Sequence, residues 1–180
     1  MMKKMMALFL TGILLLGCTG TAFAKDIAVK VDDKQVEFTD AKPFIDEKGR
    51  TMVPLRPVAD AMGLEVEWDR RTKTAVFSES YQKGMEGFGY DINRKAVYGE
   101  ITYMSLSFKV NDPKVEMLGK VKKENGEMTM IADHFQMDTT AVVKDGRTYA
   151  PLRYMVQSFG YDVSWDKETK TVTVENYRMQ

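Results

Sequence analysis

Two short segments of the chain carry apolar residues at the spacing of one helix face. In residues 55–62 and again in residues 152–159, the first, fourth, fifth and eighth positions are apolar, as an amphipathic helix requires. A proline precedes the first segment and the second, and a glycine follows each; these residues favour a helix start and a helix end. The pattern predicts two short helices, each with one apolar face turned towards a core.

Period-two alternation of apolar and polar residues follows each predicted helix. Such alternation indicates a half-buried strand, and a polar turn followed by a second apolar segment indicates an antiparallel hairpin. A hairpin alone is marginal in water, so we expect each one to pack on its helix and form a small core. The predicted strands are residues 64–68 with 75–77 and residues 161–165 with 172–174, joined by turns at 69–73 and 166–170.

The remaining segments are less regular. We interpret the glycine-rich residues 81–91 as a loop and the charged residues 120–127 as another. A strand is expected over residues 96–110, and another at 128–131 is expected to lead into a short helical turn near 133–137. Shorter extended pieces are predicted at residues 27–38, as two strands joined by a turn, at 43–45 and at 141–143.

A long motif occurs twice in the chain. Gly-Arg-Thr-Met-Val-Pro-Leu-Arg at residues 49–56 returns as Gly-Arg-Thr-Tyr-Ala-Pro-Leu-Arg at residues 146–153, and both tryptophans, Trp68 and Trp165, stand at equivalent places. The duplication predicts an α+β protein of two repeated units, each an antiparallel sheet packed on one α-helix, forming one pseudo-symmetric body. We place the first repeat at residues 25–79, a connecting insertion with strands at 80–125 and the second repeat at 126–180.

Residues 1–24 have the features of an export signal. Two lysines form a positive start, residues 7–16 form a short apolar run, and Ala22 and Ala24 supply the small residues that cleavage after Ala24 requires. The run is shorter than the roughly 20 apolar residues that span a bilayer. We therefore predict a signal peptide and an extracytoplasmic protein.

The same segment has a second interpretation. Leu15-Leu16-Gly17-Cys18 resembles a lipobox, in which the cysteine becomes the lipidated first residue of a membrane-anchored lipoprotein. Leucine two positions before the cysteine fits less well than a small residue, which favours soluble export. Membrane attachment is expected only if Cys18 is lipidated.

Charge and composition exclude several classes of function. Acidic and basic residues balance to a formal net charge of zero, whereas a nucleic-acid surface needs clustered lysine and arginine. One cysteine and one histidine, His134, cannot build a Cys/His metal cage or an internal disulfide. The sequence contains no nucleophile elbow, phosphate loop or nucleotide fingerprint. We therefore expect no nucleic-acid partner, no metal and no cofactor.

The doubled pattern of Gly-Arg-Thr-x-x-Pro-Leu-Arg, Gly-x-x-Val-x-Trp-Asp and Thr-Lys-Thr resembles the copper amine oxidase N-terminal-like, or stalk, domain family over residues 26–78 and 126–176. The resemblance implies an exported or cell-surface protein of Gram-positive bacteria. It also implies an appended α+β stalk, because the copper and the oxidised tyrosine cofactor of the oxidases belong to a separate catalytic domain. An oxidase needs three histidine ligands, and this sequence has only His134. The resemblance therefore predicts no enzyme activity.

Two arginines and two aspartates recur at fixed places in the duplicated motif. Arg56 and Arg153 fall in the first turn of the two predicted helices, where the helix dipole disfavours a cation. Asp69 and Asp166 are their expected partners. We favour structural arginine–carboxylate pairs that hold each helix to its hairpin, and an anion or glycan site built on the two arginines is the alternative.

The tryptophans and the histidine also have two interpretations each. Trp68 and Trp165 lie in phase with the apolar residues of their strands, so we expect them to pack in the core rather than stack on the sugar rings of wall glycan. His134 lies near Asp133 and Asp138, but one histidine among carboxylates is weak evidence for a metal site. We expect a partly exposed structural histidine.

The sequence as a whole favours a non-catalytic, exported, stalk-like binding module. Its expected partner is cell-wall polymer or another exported protein, and a spacer without a ligand is the third option. The alternative from another class is a cell-wall hydrolase with its site in residues 80–124, because that insertion does not align with either repeat.

Overall fold

The structure is a computed structural model and describes residues 26–91 and 93–176 of the chain. The predicted signal segment and Cys18 lie outside the described residues. In chain order the elements are β1 (Ala28–Val31), β2 (Lys34–Gln35), β3 (Phe44–Ile45), β4 (Thr51–Pro54), α1 (Leu55–Met62), β5 (Glu65–Asp69), β6 (Thr74–Tyr90), β7 (Ala96–Lys109), β8 (Lys114–Lys122), β9 (Met128–Gln136), β10 (Val142–Lys144), β11 (Arg147–Pro151), α2 (Leu152–Ser158), β12 (Tyr161–Asp166) and β13 (Thr171–Asn176).

The strands form three sheets, two of which combine strands that are distant in sequence. The first sheet has the order β12-β13-β1-β2, with β1 parallel to β13 and the other pairs antiparallel. The second has the order β10-β11-β4-β3 and the third β5-β6-β7-β8-β9, both antiparallel throughout. The protein is mostly sheet with two helices, which agrees with the predicted α+β class at that level.

The two helices form where the apolar spacing predicts them. Gly63 follows α1 with a φ of 73°, and Gly160 follows α2 with a φ of 79°, a left-handed geometry that glycine adopts at little cost. The predicted hairpins form as β5 with β6 and as β12 with β13. Neither described helix has the length and the apolar stretch that a membrane crossing needs. The buried residues are Leu55, Val58, Ala59 and Met62 in α1 and Leu152, Met155 and Val156 in α2.

The repeated Gly-Arg-Thr segments meet in the second sheet. β4 and β11 pair antiparallel, with Val53 directly opposite Ala150. These two residues hold the same motif position in the two copies. The copies therefore contact each other through the strand that leads into each helix.

One apolar cluster joins the two copies. Its buried members come from both helices, from the first sheet and from β6, β7 and β8 of the third sheet. Val58 and Met155 have no exposed surface, and neither have Phe77 and Phe108, whose rings meet edge to face with centroids 5.7 Å apart. Burial of each such side chain stabilises the fold by about 1.5–3 kcal/mol. Both helices thus pack on the same core.

Two of the local predictions are wrong, and a third is wrong in part. Residues 81–91 are not a loop, because β6 continues to Tyr90. The helical turn predicted near residues 133–137 is instead the end of β9. In the charged segment 120–127, the chain leaves the sheet only after Lys122. The predicted strands at 96–110 and 128–131 are confirmed as β7 and the start of β9.

The second half of β6 is rich in glycine, and for this reason the sequence predicts a loop where the structure has a strand. A Cβ placed on Gly89 would lie 2.5 Å from Cδ1 of Ile131, and one placed on Gly87 would lie 2.6 Å from Cδ1 of Ile101. Glycine is needed here because other side chains lie directly against the strand backbone. β6 also runs through the predicted boundary at residues 79–80, so the first repeat and the insertion share one strand.

Candidate functional site

A cleft of about 600 Å³ opens beside the N-terminal end of α1. Its walls come from the first turns of α1, from strand β5 of the following hairpin, and from the β10–β11 hairpin of the second copy. Leu55 and Ala75, both buried, contribute apolar surface. The volume is in the range of pockets that hold small ligands. The charged and aromatic side chains around the cleft are Asp40, Arg56, Asp60, Glu67, Trp68 and Arg147.

Trp68 lies in this cleft with 37% of its surface exposed. Burial falls along the chain from Leu64 to the half-buried Val66 and then to Trp68. Trp68 lies opposite the buried Ala75, but β5 is the edge strand of its sheet, so no further strand covers the outer side of the ring. Trp165, at the equivalent place in the second hairpin, is 44% exposed. The prediction that both tryptophans pack in the core is wrong, and both rings are open to solvent.

Arg56 is an exposed side chain on the first turn of α1 and lines the same cleft. Within residues 26–91 and 93–176 it makes no hydrogen bond or ion pair. Its predicted partner Asp69 instead accepts hydrogen bonds within its own turn, from the Thr72 hydroxyl at 2.7 Å and from the Arg71 N–H at 2.8 Å. The hydrogen bond from Thr72 is the main reason that the pKa of Asp69 lies below its ordinary value. The predicted Arg56–Asp69 pair is therefore wrong.

The second copy uses its aspartate in the same way. Asp166 accepts hydrogen bonds from the N–H groups of Glu168 at 2.8 Å and Thr169 at 3.2 Å. Arg153 is exposed on α2 and forms no ion pair with Asp166 in the described part of the chain. The fixed spacing of the two aspartates follows from their turns, in which aspartate is favoured because its carboxylate binds nearby backbone N–H groups.

The arginines that do join the two copies are the earlier ones of the motif. Arg50 of the first copy binds Asp138 of the second, with Nε 2.7 Å from Oδ2. Arg147 of the second copy binds Asp40 of the first, with Nε 3.0 Å from Oδ2. The hydrogen bond from Arg50 lowers the pKa of Asp138 to about 2, and that from Arg147 lowers the pKa of Asp40. Sequence reasoning missed these pairs, although an aspartate stands shortly before the motif arginine in both copies.

The second copy has a tyrosine, Tyr154, at the motif position where the first copy has Pro57 beside the cleft. The Tyr154 hydroxyl donates to Oδ1 of Asp138 at 3.0 Å, and its ring stacks on Phe135 with centroids 5.9 Å apart. Pro57 holds the equivalent position in the first copy and lines the cleft there. Proline is too short to reach Asp40 as Tyr154 reaches Asp138. With its short ring, Pro57 therefore provides no equivalent of the Tyr154 side chain at this position beside the cleft.

A model of a known protein family matches most of the chain. The family model described as copper amine oxidase N-terminal domain matches residues 30–174. The chain belongs to the copper amine oxidase N-terminal domain family. The match confirms the resemblance seen in the sequence and spans both copies of the motif together with the insertion between them. No curated protein and no solved structure matches the chain significantly.

In the copper amine oxidases, the N-terminal domain is a non-catalytic, stalk-like part of the protein. The cleft of this copper amine oxidase N-terminal domain combines one aromatic ring, two arginines and three carboxylates around an apolar surface, an arrangement that suits reversible binding.

His134 does not lie in the cleft. It is exposed on β9 opposite Glu116, and its backbone N–H donates to the Asp133 carboxylate at 2.8 Å. Asp138, its other predicted neighbour, is bound by Arg50. Among the described residues, no group of three or more His, Cys, Asp or Glu side chains is placed to hold a metal ion.

A second, smaller cavity of about 280 Å³ lies in the third sheet, between strands of the insertion and β9. Ile101, Met117 and Ile131 give it an apolar lining, and Asp133 is the one carboxylate among its described lining residues. That carboxylate lies 3.8 Å from the Arg94 guanidinium. The paired carboxylates that a glycan hydrolase uses are therefore not found in this cavity.

Proposed function

We propose that this protein is an exported, non-catalytic stalk-like module that binds cell-wall polymer through the cleft beside α1. The observation that carries the proposal is the position of Trp68, a large aromatic ring left exposed at the edge of a cleft. Aromatic rings in such places supply much of the binding energy at recognition sites. Arg56, which has no partner in the described part of the chain, adds a charged group at the same place.

The N-terminal segment supports export. Residues 1–24 supply a signal that is cleaved after Ala24, which delivers the module to the cell wall; lipidation at Cys18 would instead hold it at the membrane surface. Mass spectrometry of the mature N-terminus distinguishes these routes. A chain that begins at Lys25 supports secretion, a lipidated Cys18 supports anchoring, and an intact N-terminus in the cytoplasmic fraction contradicts export.

Co-sedimentation with purified peptidoglycan sacculi tests the binding function. We expect the mature protein, residues 25–180, to sediment with the sacculi and Trp68→Ala to weaken binding by at least about tenfold, since loss of a buried aromatic contact costs 2 kcal/mol or more. Trp165→Ala is the matched control, because it removes an exposed tryptophan from the equivalent place outside the cleft.

Two outcomes contradict the proposal. If the wild-type protein stays in the supernatant at every concentration, wall polymer is not its ligand, and a spacer role or a protein partner remains. If Trp68→Ala and Trp165→Ala weaken sedimentation equally, the cleft is not the binding site.

A further inference from the structure

We propose that the cleft binds a zwitterionic wall fragment, a saccharide whose attached amino acids present a free carboxylate and a free amine. This inference rests on the proposed function and names the chemistry of its ligand. It starts from the charges around the cleft and from the difference between the two copies of the motif.

Two of the charged groups around the cleft bind each other, and the other three are available to bind a ligand. Arg147 and Asp40 bind each other and neutralise each other. Arg56, Asp60 and Glu67 make no side-chain hydrogen bond or ion pair within residues 26–91 and 93–176. The available groups are therefore one cation and two carboxylates.

This set of charges selects against a simple anion. A polyanionic ligand would gain one contact with Arg56 and would meet two like charges at Asp60 and Glu67, and like charges at an interface cost binding energy. A neutral glycan would leave all three groups without a charged partner. A ligand with one carboxylate and one amine complements both signs, with the carboxylate at Arg56 and the ammonium at Asp60 and Glu67.

The exposed ring of Trp68 is the reason that we expect the ligand to contain a saccharide. Trp68 is exposed and lines the cleft together with these charged groups and with the apolar Leu55 and Ala75. A flat ring beside hydrogen-bonding groups offers one apolar face and a polar rim. A sugar ring also has an apolar face and a polar rim, so it can stack on Trp68 while its substituents reach the charged side chains.

The second copy retains the arginine and the tryptophan but lacks the other features. Arg153 and Trp165 correspond to Arg56 and Trp68, whereas Gln157 stands in place of Asp60, and Ser164 stands in place of Glu67. Tyr154 also stands at the motif position where the first copy has Pro57, and its hydroxyl donates to Asp138. The structure thus assigns one binding site to each chain, in the first copy only.

Isothermal titration with soluble muropeptides, released from purified peptidoglycan by a muramidase, tests the inference. We expect one muropeptide per chain, and about tenfold weaker binding after the ligand's amines are acetylated or its carboxylates are amidated. A neutral chitooligosaccharide and a stem peptide without sugar should each bind more weakly than the intact fragment. Equal binding of the intact fragment and any of these four probes would overturn the inference.

Charge-neutral variants assign the contacts. In the double variant Asp60→Asn, Glu67→Gln, acetylation of the ligand should no longer change the affinity, and in Arg56→Gln the same should hold for amidation. Arg153→Gln is the matched control and should behave as the wild type. Variants that retain full discrimination between the modified ligands would show that the cleft residues are not the contacts.

Filling the cleft gives an independent test. Pro57→Tyr places a tyrosine where the second copy has Tyr154, so we expect normal circular dichroism and loss of muropeptide binding. A folded Pro57→Tyr protein that binds as tightly as the wild type would contradict the inference, and if this variant does not fold, the charge-neutral variants still decide. If the protein binds sacculi but binds no muropeptide, the proposed zwitterionic ligand is wrong and the proposed function stands. If the protein binds neither, the proposed function is wrong.

Discussion

The Arg50 guanidinium binds the Asp138 carboxylate across the junction of the two motif copies, with Nε 2.7 Å from Oδ2. Arg147 and Asp40 form the reciprocal pair. Each motif arginine therefore reaches into the other copy, and the two pairs flank the contact between β4 and β11. The duplicated arginine fastens one copy to the other rather than a helix to its own hairpin.

This pair predicts a stability change in acid. Because Arg50 holds the pKa of Asp138 at about 2, below the value of about 3.9 in an unfolded chain, the pair stabilises the fold above pH ~4, and this contribution is lost as the pH falls towards 2. We expect Asp138→Asn to lower the midpoint of thermal unfolding at pH 7 by no more than about 3 °C, since exposed ion pairs are weak. Circular dichroism melts between pH 2 and pH 7 measure the difference.

The control for this prediction is Glu124→Gln, which removes an exposed carboxylate far from Arg50. The difference between Asp138→Asn and the wild type should shrink towards zero near pH 2. A difference that stays constant over the whole pH range would show that asparagine acts through packing and not through charge.

The shared core predicts that both copies unfold together. Leu55→Ala and Leu152→Ala each remove a buried leucine and should cost about 2–5 kcal/mol. Single-tryptophan variants, Trp68→Phe and Trp165→Phe, report the two halves separately during chemical denaturation. We expect coincident transitions in every background, and two separate midpoints would indicate two independent units.

Gly99 is a position where a side chain cannot be accommodated. Its φ is +152°, and a Cβ would lie 2.3 Å from the Lys122 carbonyl oxygen, a backbone atom of the neighbouring strand. We expect Gly99→Ala to cost about 2–4 kcal/mol of unfolding free energy, as the sum of backbone strain and steric overlap. Gly126 is the control, because its φ of +82° is also positive but no atom lies within 4 Å of its Cβ position. Similar losses in both alanine variants would attribute the effect to φ alone.

The exposure of the tryptophans predicts their fluorescence. Acrylamide should quench Trp68 and Trp165 strongly in the native protein, since both rings are open to solvent. If the proposed function holds, wall fragments should protect the emission of Trp68, measured in Trp165→Phe, and should leave that of Trp165 unchanged. Weak quenching of either residue before ligand is added would contradict the exposed placement.

Periodicity predicts local elements well because it reports which side of an element faces the core. It gives α1, α2 and the two hairpins directly from the spacing of apolar residues. It does not report which strand lies at the edge of a sheet, so it predicts buried positions for Trp68 and Trp165, which the edge strands β5 and β12 leave exposed. The glycines of β6 are ambiguous in the sequence, because glycine marks both loops and positions where another chain segment packs closely.

The candidate site depends on contacts that no local pattern contains. Arg147 and Asp40 reach the cleft from different copies of the motif, and their pairing follows from the way β4 and β11 align. The significance of Pro57 becomes clear only when it is compared with Tyr154, whose hydroxyl binds Asp138. The motif itself contains Arg56 and Trp68, so the sequence identified two residues of the site but not their shared cleft.

The parallel pairing of β1 with β13 affects the order in which the protein can fold. β1 is the first described strand and β13 the last, and Val29 lies opposite Val172. During synthesis β1 leaves the ribosome long before its partner exists, and contacts of such large sequence separation form slowly. The first sheet is therefore completed last, and until then the strand that carries Val29 and Val31 has unpaired backbone groups that could bind a second chain.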